Sequence, residues 1–338
     1  MIVLHLLPPS EYSAASRQAQ LLAPALRSLT HSDVHVAALG RRRWFDPGDW
    51  RRLWRLVRDL RPDIIHAWRL PALRAATALR VFGRRAFRLV ISEPRRAGSV
   101  NVFDHRLLRT ADAVIAGYPA EVDALRRLGV PTDRIHDLPP VVAMPPAEPP
   151  TLGLTLPPGS KIIICVGSLT PAHGFRDAIQ AADILRYPIP ETHLVIIGEG
   201  PERRRLAEFA RGLNPAGAQL HFVPARPDAA AVLARADVVW VPSRSDCGRQ
   251  VLLEAQAAGR PVVATRRPGL AALVEDGRTG LLVPPGDPAA LARRTQELLN
   301  APSLAVGIAA AAGDAVASFA PERAAAVYAA LYEKIGRP

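Results

Sequence analysis

The stretch of sequence that decides the fold runs from Ala236 to Asp287 and reads ADVVWVPSRSDCGRQVLLEAQAAGRPVVATRRPGLAALVEDGRTGLLVPPGD. Apolar runs and helical patches alternate in it, giving predicted strands VVWVP, PVVAT and GLLVP and predicted helices CGRQVLLEAQAAG and GLAALVED. Short β-branched strands separated by helices are typical of parallel βαβ units. In such sheets, ligands lie beyond the carboxyl ends of the strands, against the N-termini of helices. Residues 243–250 occupy that position.

Two carboxylates, Asp246 and Glu254, lie in this part of the stretch. Asp246 lies where the loop becomes a helix, and Glu254 follows about two turns later. Because this spacing keeps two side chains near one face of a helix, both carboxylates can face a ligand that lies along the helix start.

Length and composition predict a globular protein of two domains. A chain of 338 residues is long for one core, and 49% hydrophobic residues are ample for burial. The sequence has no run of 18 uncharged apolar residues, and its apolar start is too short and lacks the basic residues of a signal peptide. We therefore expect a cytoplasmic protein. The two cysteines, Cys165 and Cys247, have no metal-ligand spacing, which suits a reducing compartment.

The net charge of +12 raises the question of a nucleic-acid partner. Lys161 and Lys334 are the only lysines, and arginine supplies the other basic residues, a skew that fits coding bias as well as function. Aromatic residues make up only 5% of the chain, and no arginine tract alternates with stacking residues. Because single-stranded nucleic acid is bound by basic and aromatic residues together, we expect no nucleic-acid partner.

The strand and helix alternation covers the rest of the chain on both sides of a proline-rich segment. That segment, LPPVVAMPPAEPPTLGLTLPPG over residues 138–159, has no period, and proline-rich segments are stiff, extended spacers. We predict an N-terminal Rossmann-like domain over residues 1–145, a linker over 146–159, a second Rossmann-like domain over 160–318 and a C-terminal helix over 319–338 that crosses back to the first domain.

These motifs resemble the retaining, nucleotide-sugar-dependent glycosyltransferases of family 4. In that family a Pro-Ser precedes an acidic residue, seven others and a Glu, followed by a Pro-Val-Val-Ala-Thr strand and a Gly-Leu-Leu-Val-Pro-Pro-Gly-Asp run. Here the parts read Pro242-Ser243, Asp246 with Glu254, 261–265 and 280–287. The combination is far more specific than any one part, and weaker matches extend over nearly the whole chain.

The resemblance implies an α/β fold of the GT-B class, in which two Rossmann-like, doubly wound domains face each other across a cleft. It implies transfer of a sugar from a nucleotide-diphosphate sugar to a hydroxyl on a sugar, lipid or other small molecule, with retention of anomeric configuration. It implies no metal and no cofactor besides this donor substrate. The competing class is a non-catalytic relative that binds a nucleotide or a partner protein.

By the resemblance, Glu254 binds the ribose, since a carboxylate can accept hydrogen bonds from both vicinal hydroxyls; the alternative is a solvated helix residue. Asp246 corresponds to the acid beside the transferred sugar and is assigned as catalytic, although it is one methylene shorter than the usual Glu. Its alternative role is the N-cap of the following helix. The segment 247–250 replaces the family's Gly-Phe-Gly and apolar residue, yet its backbone N–H groups can still hold a phosphate.

The sequence departs most at the family's phosphate clamp, an Arg and a Lys that grip the diphosphate. The pattern Gly-Arg-Leu, three residues and Lys-Gly reads Gly167-Ser168-Leu169 and then His173-Gly174 here. His173 when protonated, Arg176 or Arg249 could substitute, and the alternative for His173 is a turn residue. The residues expected to bind the nucleotide sugar are Glu254, Gly167, Ser168, His173, Gly174, Val223, Gly248, Arg249 and Gln250, with Val223 placed near the base by alignment alone.

Further departures lie in the first domain. The family's glycine pair after the first strand corresponds to Ser13-Ala14, which makes close approach to a phosphate harder. The histidine at the end of the fourth strand corresponds to Glu93, which we assign a catalytic role near the sugar or acceptor; the alternative is a turn residue before Pro94. His66 is expected to be a packed or capping residue.

A basic amphipathic helix is predicted over residues 47–60. Its apolar stripe includes Trp54, and arginines cover the rest. Such a helix can lie on an anionic membrane surface, so residues 49–61 are a candidate peripheral contact with the inner face of a membrane. The alternative is an ordinary helix packed on its sheet with a solvated basic face.

Overall fold

The computed structural model describes residues 1–8, 13–30, 32–40, 46–83, 86–93, 102–214 and 219–336, without the side chains of residues 102 and 103. The chain divides into two compact units. Unit 1 comprises Met1–Val141 and Phe319–Pro338, and unit 2 comprises Val142–Ser318.

Unit 1 is built on a parallel sheet whose described strands have the order β2-β1-β3-β4-β5-β6. The order reverses direction between β1 and β3, which is the topological switch point where doubly wound sheets bind ligands. Its elements are β1 (Ile2–Leu7), α1 (Ala14–Thr30), β2 (Asp33–Ala38), α2 (Pro47–Leu60), β3 (Ile64–Trp68), α3 (Arg69–Phe82), β4 (Arg88–Ser92), α4 (Val102–Thr110), β5 (Ala113–Ala116), α5 (Pro119–Arg127) and β6 (Ile135–Asp137).

Helix α2 begins as its sequence predicts. The Asp46 carboxylate accepts a hydrogen bond from Gly48 N at 2.8 Å, and Pro47 occupies the first helical position, where its missing N–H leaves no donor unpaired. Leu53 and Val57 are buried against the sheet, whereas Trp54 is 42% exposed with Arg58 over its ring. The apolar stripe therefore serves the core of unit 1, as in the packed alternative, and leaves the basic face in solvent.

Unit 2 has the parallel strand order β12-β11-β10-β7-β8-β9 in its described part. Read from β9, this is the doubly wound order 3-2-1-4-5-6, with the switch point between β7 and β10. Its elements are β7 (Lys161–Val166), α6 (Phe175–Leu185), β8 (Thr192–Ile197), α7 (Arg203–Leu213), β9 (Leu220–Val223), α8 (Ala229–Val232), β10 (Val238–Val241), α9 (Arg249–Ala257), β11 (Val262–Thr265), α10 (Pro268–Ala271), β12 (Leu281–Val283), α11 (Pro288–Asn300) and α12 (Pro302–Val316).

One predicted helix is much shorter in the structure. The helix expected over residues 269–276 is reduced to the single turn α10, because the following backbone folds into a turn towards β12. Asp276 accepts a hydrogen bond from Leu282 N at 2.9 Å, and Gly277 has a φ of 82°. Within the predicted range, Glu275 N donates to Thr279 Oγ1 at 2.8 Å, and an N–H used in this turn is lost to the i to i−4 hydrogen bonds of a helix.

The final helix, α13 (Pro321–Gly336), belongs to unit 1, where it packs on α1 and buries Ala325, Tyr328 and Tyr332. The proline-rich segment belongs mostly to unit 2, where Arg226 and Arg235 donate to carbonyls of residues 149–152.

The helical stretch Pro302–Gly336 is long and apolar enough to cross a membrane by length and composition. Its helices each pack one face in their own unit.

A buried polar network joins β1, β3, β4 and α13. Trp68 Nε1 donates to His5 Nδ1 at 3.1 Å, which leaves the hydrogen of neutral His5 on Nε2, 3.4 Å from the Tyr332 hydroxyl. Tyr332 donates in turn to His66 Nδ1 at 2.6 Å, and His66 Nε2 donates to Ser92 Oγ at 2.8 Å. This single direction of donation requires both imidazoles to be neutral. His66 is thus a packed residue, as predicted.

Candidate functional site

The candidate site of unit 2 lies at the switch point, where the loops after β7 and β10 meet. Gly174 joins a short 3-10 turn to α6 and has a φ of 70°. A Cβ on Gly174 would lie only 1.8 Å from the Pro242 carbonyl oxygen at the end of β10. Only glycine combines that backbone conformation with that approach, so this residue seats the start of α6 against the end of β10.

Gly167, Ser168 and His173 lie in the same loop. Ser168 is exposed, and the His173 ring lies so close to Gly167 that a Cβ there would be 2.8 Å from His173 Cδ2. His173 Nδ1 is 3.1 Å from Thr170 Oγ1, and its ring stacks on Phe175 with centroids 6.0 Å apart. The imidazole is therefore held within its own turn at the place of the clamp lysine.

Helices α6 and α9 both begin at this edge of the sheet without a side-chain cap. Their N-cap residues are Gly174 and Gly248, both with positive φ. Because the first N–H groups of a helix have no partner within the helix and carry partial positive charge, two helix starts at one sheet edge favour an anion such as a diphosphate. The alternative role of Asp246 as N-cap of α9 is wrong, since Gly248 is the N-cap.

Asp246 instead holds α10. Its Oδ1 accepts a hydrogen bond from Gly269 N at 2.8 Å. A Cβ on Gly269 would lie 3.1 Å from Arg249 Cδ and 3.3 Å from Asp246. Asp246 and Arg249 therefore meet around the start of α10, at the amino end of α9. Arg176, in contrast, lies over the Phe209 ring at 4.2 Å and is directed towards α7.

Glu254 is 6% exposed, so the alternative of a solvated helix residue is wrong. Gln250, 4% exposed, lies one turn earlier on α9 and donates from Nε2 to Glu254 Oε1 at 3.1 Å. A carboxylate taken out of water needs hydrogen-bond partners. This arrangement is the one expected of a site built to accept hydrogen bonds rather than of a surface residue.

One ion pair at this edge was missed from the sequence. Arg244 donates from Nε and Nη2 to the two carboxylate oxygens of Asp177, at 2.8 and 2.6 Å, and Asp177 is 3% exposed. The hydrogen bond that Arg244 donates to Asp177 raises the pKa of the Arg244 guanidinium. Ala172 O accepts from Arg244 N and from Cys247 Sγ, at 2.9 and 3.2 Å. The pair and these bonds tie the loop after β10 to the start of α6.

Val223 ends β9, and its carbonyl accepts a hydrogen bond from Gly198 N at 3.0 Å. It lies at the carboxyl edge of the sheet, two strands from β7. A cavity of about 430 Å³ between α6 and α7 borders Thr192 and Gln219 instead. These residues are at the opposite, amino ends of β8 and β9, so this cavity is separate from the candidate site.

In unit 1, Glu93 and Arg69 directly follow β4 and β3, and both have left-handed backbones, with φ of 50° and 71°. Arg69 donates from Nε and Nη2 to Glu93 Oε2 at 3.2 and 3.1 Å, and Gln18 Nε2 donates to Glu93 Oε1 at 2.8 Å. Non-glycine residues in this conformation cost about 1–2 kcal/mol each, and such strain clusters at functional sites. Pro94 lies outside the described residues.

Ser13 caps α1, since its Oγ accepts a hydrogen bond from Ser16 N at 3.0 Å. Ser13 therefore serves the helix start where the family has a glycine. Among the described residues, no group of three or more His, Cys, Asp and Glu side chains is arranged to hold a metal ion.

Comparisons with known proteins identify the family of the chain. Residues 160–301 match the family profile described as glycosyl transferases group 1, and residues 9–140 match the glycosyl transferase 4-like domain. The chain belongs to the group 1, family 4-like glycosyltransferases.

Among similar curated proteins is a D-inositol 3-phosphate glycosyltransferase of Paenarthrobacter aurescens, 33% identical over 62% of this chain and 53% of its own length. Another, from Corynebacterium jeikeium, is 29% identical over 83% of this chain and 69% of its own length. The chain thus spans about half the length of the first of these relatives.

Solved structures show the fold. Sucrose-phosphate synthase from Thermosynechococcus elongatus is 22% identical, with a TM-score of 0.81 over 99% of both chains. Anabaena Alr3699/HepE, solved in complex with UDP, is 19% identical, with a TM-score of 0.72 over 99% of this chain and 100% of its own. The fold is a two-domain α/β fold of the GT-B class.

Proposed function

We propose that this protein transfers a sugar from a nucleoside-diphosphate sugar to an acceptor hydroxyl, with retention of anomeric configuration. The observation that carries the proposal is the edge of unit 2, where two uncapped helix starts adjoin a buried Glu254. A diphosphate and a ribose are the two parts of a donor that such groups recognise. Family membership and the UDP complexes of Anabaena Alr3699/HepE support this donor class.

In the proposed reaction the bond between the sugar C1 and the diphosphate oxygen breaks, and a bond from C1 to the acceptor oxygen forms on the same face. The leaving diphosphate takes the acceptor proton. The helix starts stabilise the charge that develops on the diphosphate. The protein also holds the donor and the acceptor hydroxyl in the orientation that the reaction needs. Asp246 is proposed to lie beside the transferred sugar and Glu93 near the sugar or the acceptor. No metal or further cofactor takes part in this proposal.

The competing proposal is a non-catalytic relative that binds a nucleotide or a partner protein. Two observations favour it. Ser168 and His173 stand where the family has its clamp cations, and Asp246 already accepts a hydrogen bond from Gly269 N. Arg249, close to Asp246 at the start of α9, is the cation best placed to replace the clamp.

A cytoplasmic location, with the basic face of α2 against the inner face of a membrane, remains part of the proposal. Exposed Trp54 and the surrounding arginines of residues 49–61 would make that contact. Co-sedimentation with anionic vesicles should then fall when Arg51 and Arg55 are changed to Glu. Equal co-sedimentation of the wild type with anionic and neutral vesicles would contradict a contact of this kind.

A thermal-shift screen against UDP, GDP and ADP sugars tests the donor class. One nucleotide series should raise the melting temperature by about 5 °C at a hundredfold excess over its Kd, since ligand binding to the folded state alone then adds about 2.7 kcal/mol. The free sugars serve as the control and should have no effect. An unchanged melting temperature with every nucleotide would contradict donor binding.

A further inference from the structure

Gln250 departs from the pattern of the resembled family at the start of α9. The resembled motif has an apolar residue at this place in the helix, and here an amide is buried to 4% exposure on the first turn of α9. A buried amide is unfavourable by about 1–3 kcal/mol unless it is hydrogen-bonded. Its position in a helix that also buries Leu252, Leu253 and Ala255 therefore needs a hydrogen-bond partner.

The partner of the Gln250 amide is Glu254, which lies on the same face of α9. Gln250 Nε2 donates to Glu254 Oε1 at 3.1 Å, across the four-residue spacing that brings helix side chains together. A hydrogen bond to a carboxylate is stronger than one between neutral groups, and more so away from water. This hydrogen bond holds the Glu254 side chain in one of the several rotamers that it could adopt. An apolar residue at position 250 could not donate such a bond.

We infer that Gln250 is a positioning residue for Glu254, which it orients towards the ribose hydroxyls of the donor, and that this pair makes the protein select ribonucleotides over 2′-deoxyribonucleotides. The inference rests on the proposed function, because it assigns the ribose to Glu254. A site built to pair with a hydroxyl rejects an analogue that lacks it, since its own buried group is left unpaired. The sharper the orientation of the carboxylate, the larger this discrimination becomes.

The same helix offers a matched control. Gln256 is 1% exposed and donates from Nε2 to Thr279 O at 3.1 Å and to Leu273 O at 3.4 Å. It is thus a buried glutamine on α9 whose amide binds the turn before β12. Changes of Gln250 and Gln256 to Met remove the same amide from the same helix, with side-chain length kept.

The test is the ratio of Kd values for 2′-deoxy-UDP and UDP, or for the matching pair of whichever base binds, by titration calorimetry of the full chain. Gln250→Met should reduce this ratio about fivefold, the loss of one net hydrogen bond, while Gln256→Met should keep the wild-type ratio even if it lowers the melting temperature. Gln250→Leu, the apolar type of the family, provides a second variant if Gln250→Met fails to fold. A structural role alone would lower stability without changing the ratio.

Two failures are distinguishable. A wild-type ratio in both Gln250 variants, together with loss of discrimination in Glu254→Ala, would overturn the role of Gln250 and leave the proposed function standing. A wild type that binds neither nucleotide of any pair would overturn the proposed function, and the inference with it.

Discussion

Lowering the pH from 7 to 5 is expected to reduce the free energy of unfolding of unit 1 by about 2 kcal/mol through His5 alone. Burial and, to a smaller extent, the positive charge of Arg27 together lower the pKa of His5 to about 3. Burial also holds the pKa of His66 well below its usual value, with the neighbouring His5 acting in the same direction. His66 therefore adds to the loss.

The sign follows from proton uptake. Below about pH 6.5 the unfolded chain protonates both imidazoles, whereas folded unit 1 keeps His5 neutral down to about pH 3. Because the unfolded state binds more protons across that window, stability is complete above pH 6.5 and falls as the pH drops towards 3. The groups around the imidazoles include Arg27 of α1, Trp68, Tyr328 and the hydroxyls of Tyr332 and Ser92. None of these groups is a carboxylate that could compensate the added charge.

Urea titrations of the full chain from pH 7.5 to 5, with hydrogen exchange of β1 and β3 to report unit 1 separately, would measure this loss. In His5→Asn the amide oxygen can still accept from Trp68 Nε1, but the titrating group is gone, so the dependence on pH should weaken. His105→Asn on α4 is the matched control and should keep the pH dependence of the wild type. The same pH dependence in His5→Asn as in the wild type would contradict the assignment.

Glu254→Ala is expected to weaken the binding of the nucleoside diphosphate at least tenfold, about 1.4 kcal/mol. The carboxylate is buried and oriented, so it can accept from both ribose hydroxyls, and hydrogen bonds to a charged group contribute about 1.5–3 kcal/mol each. The substitution also leaves the Gln250 amide without its partner on α9. Both effects act against binding.

Titration calorimetry with the nucleotide found in the screen measures this loss. Glu275→Ala is the control, since the carboxylate of this Glu of unit 2 is 61% exposed and pairs with Arg278. Its affinity should equal that of the wild type. Unchanged affinity in Glu254→Ala would contradict the assignment of ribose binding to Glu254. The donor site would then lose its main support.

Helix α2 has the bounds read from its sequence pattern, because an apolar stripe, a capping Asp46 and a proline at the helix start are local features. The C-terminal helix was expected over residues 319–338 and spans Pro321–Gly336. Strand β6 was missed, since Ile135–Asp137 is too short to show a period. Helix α11 was not recognised, although Asp287 caps it and Pro288 begins it.

The site was predicted in outline but not in its contacts. Its location followed from the alternation of strands and helices, because parallel sheets bind ligands at their carboxyl edge. What each side chain touches depends on residues far along the chain. Asp246 binds Gly269 N, 23 residues later, and Arg244 binds Asp177, 67 residues earlier. No pattern in a single sequence reports such pairs.

The central claim is that this protein catalyses sugar transfer rather than only binding a donor. Proton NMR of the wild type with the donor found in the screen would follow nucleoside diphosphate release and the anomer of the released sugar, with no acceptor needed. Asp246→Asn is the matched variant, since its amide oxygen can still accept from Gly269 N while the charge beside the sugar is lost. We predict slow release of sugar that first appears in the anomeric form of the donor, and its loss in Asp246→Asn. Tight donor binding with neither release nor transfer to sugar, lipid or protein hydroxyls would contradict the claim.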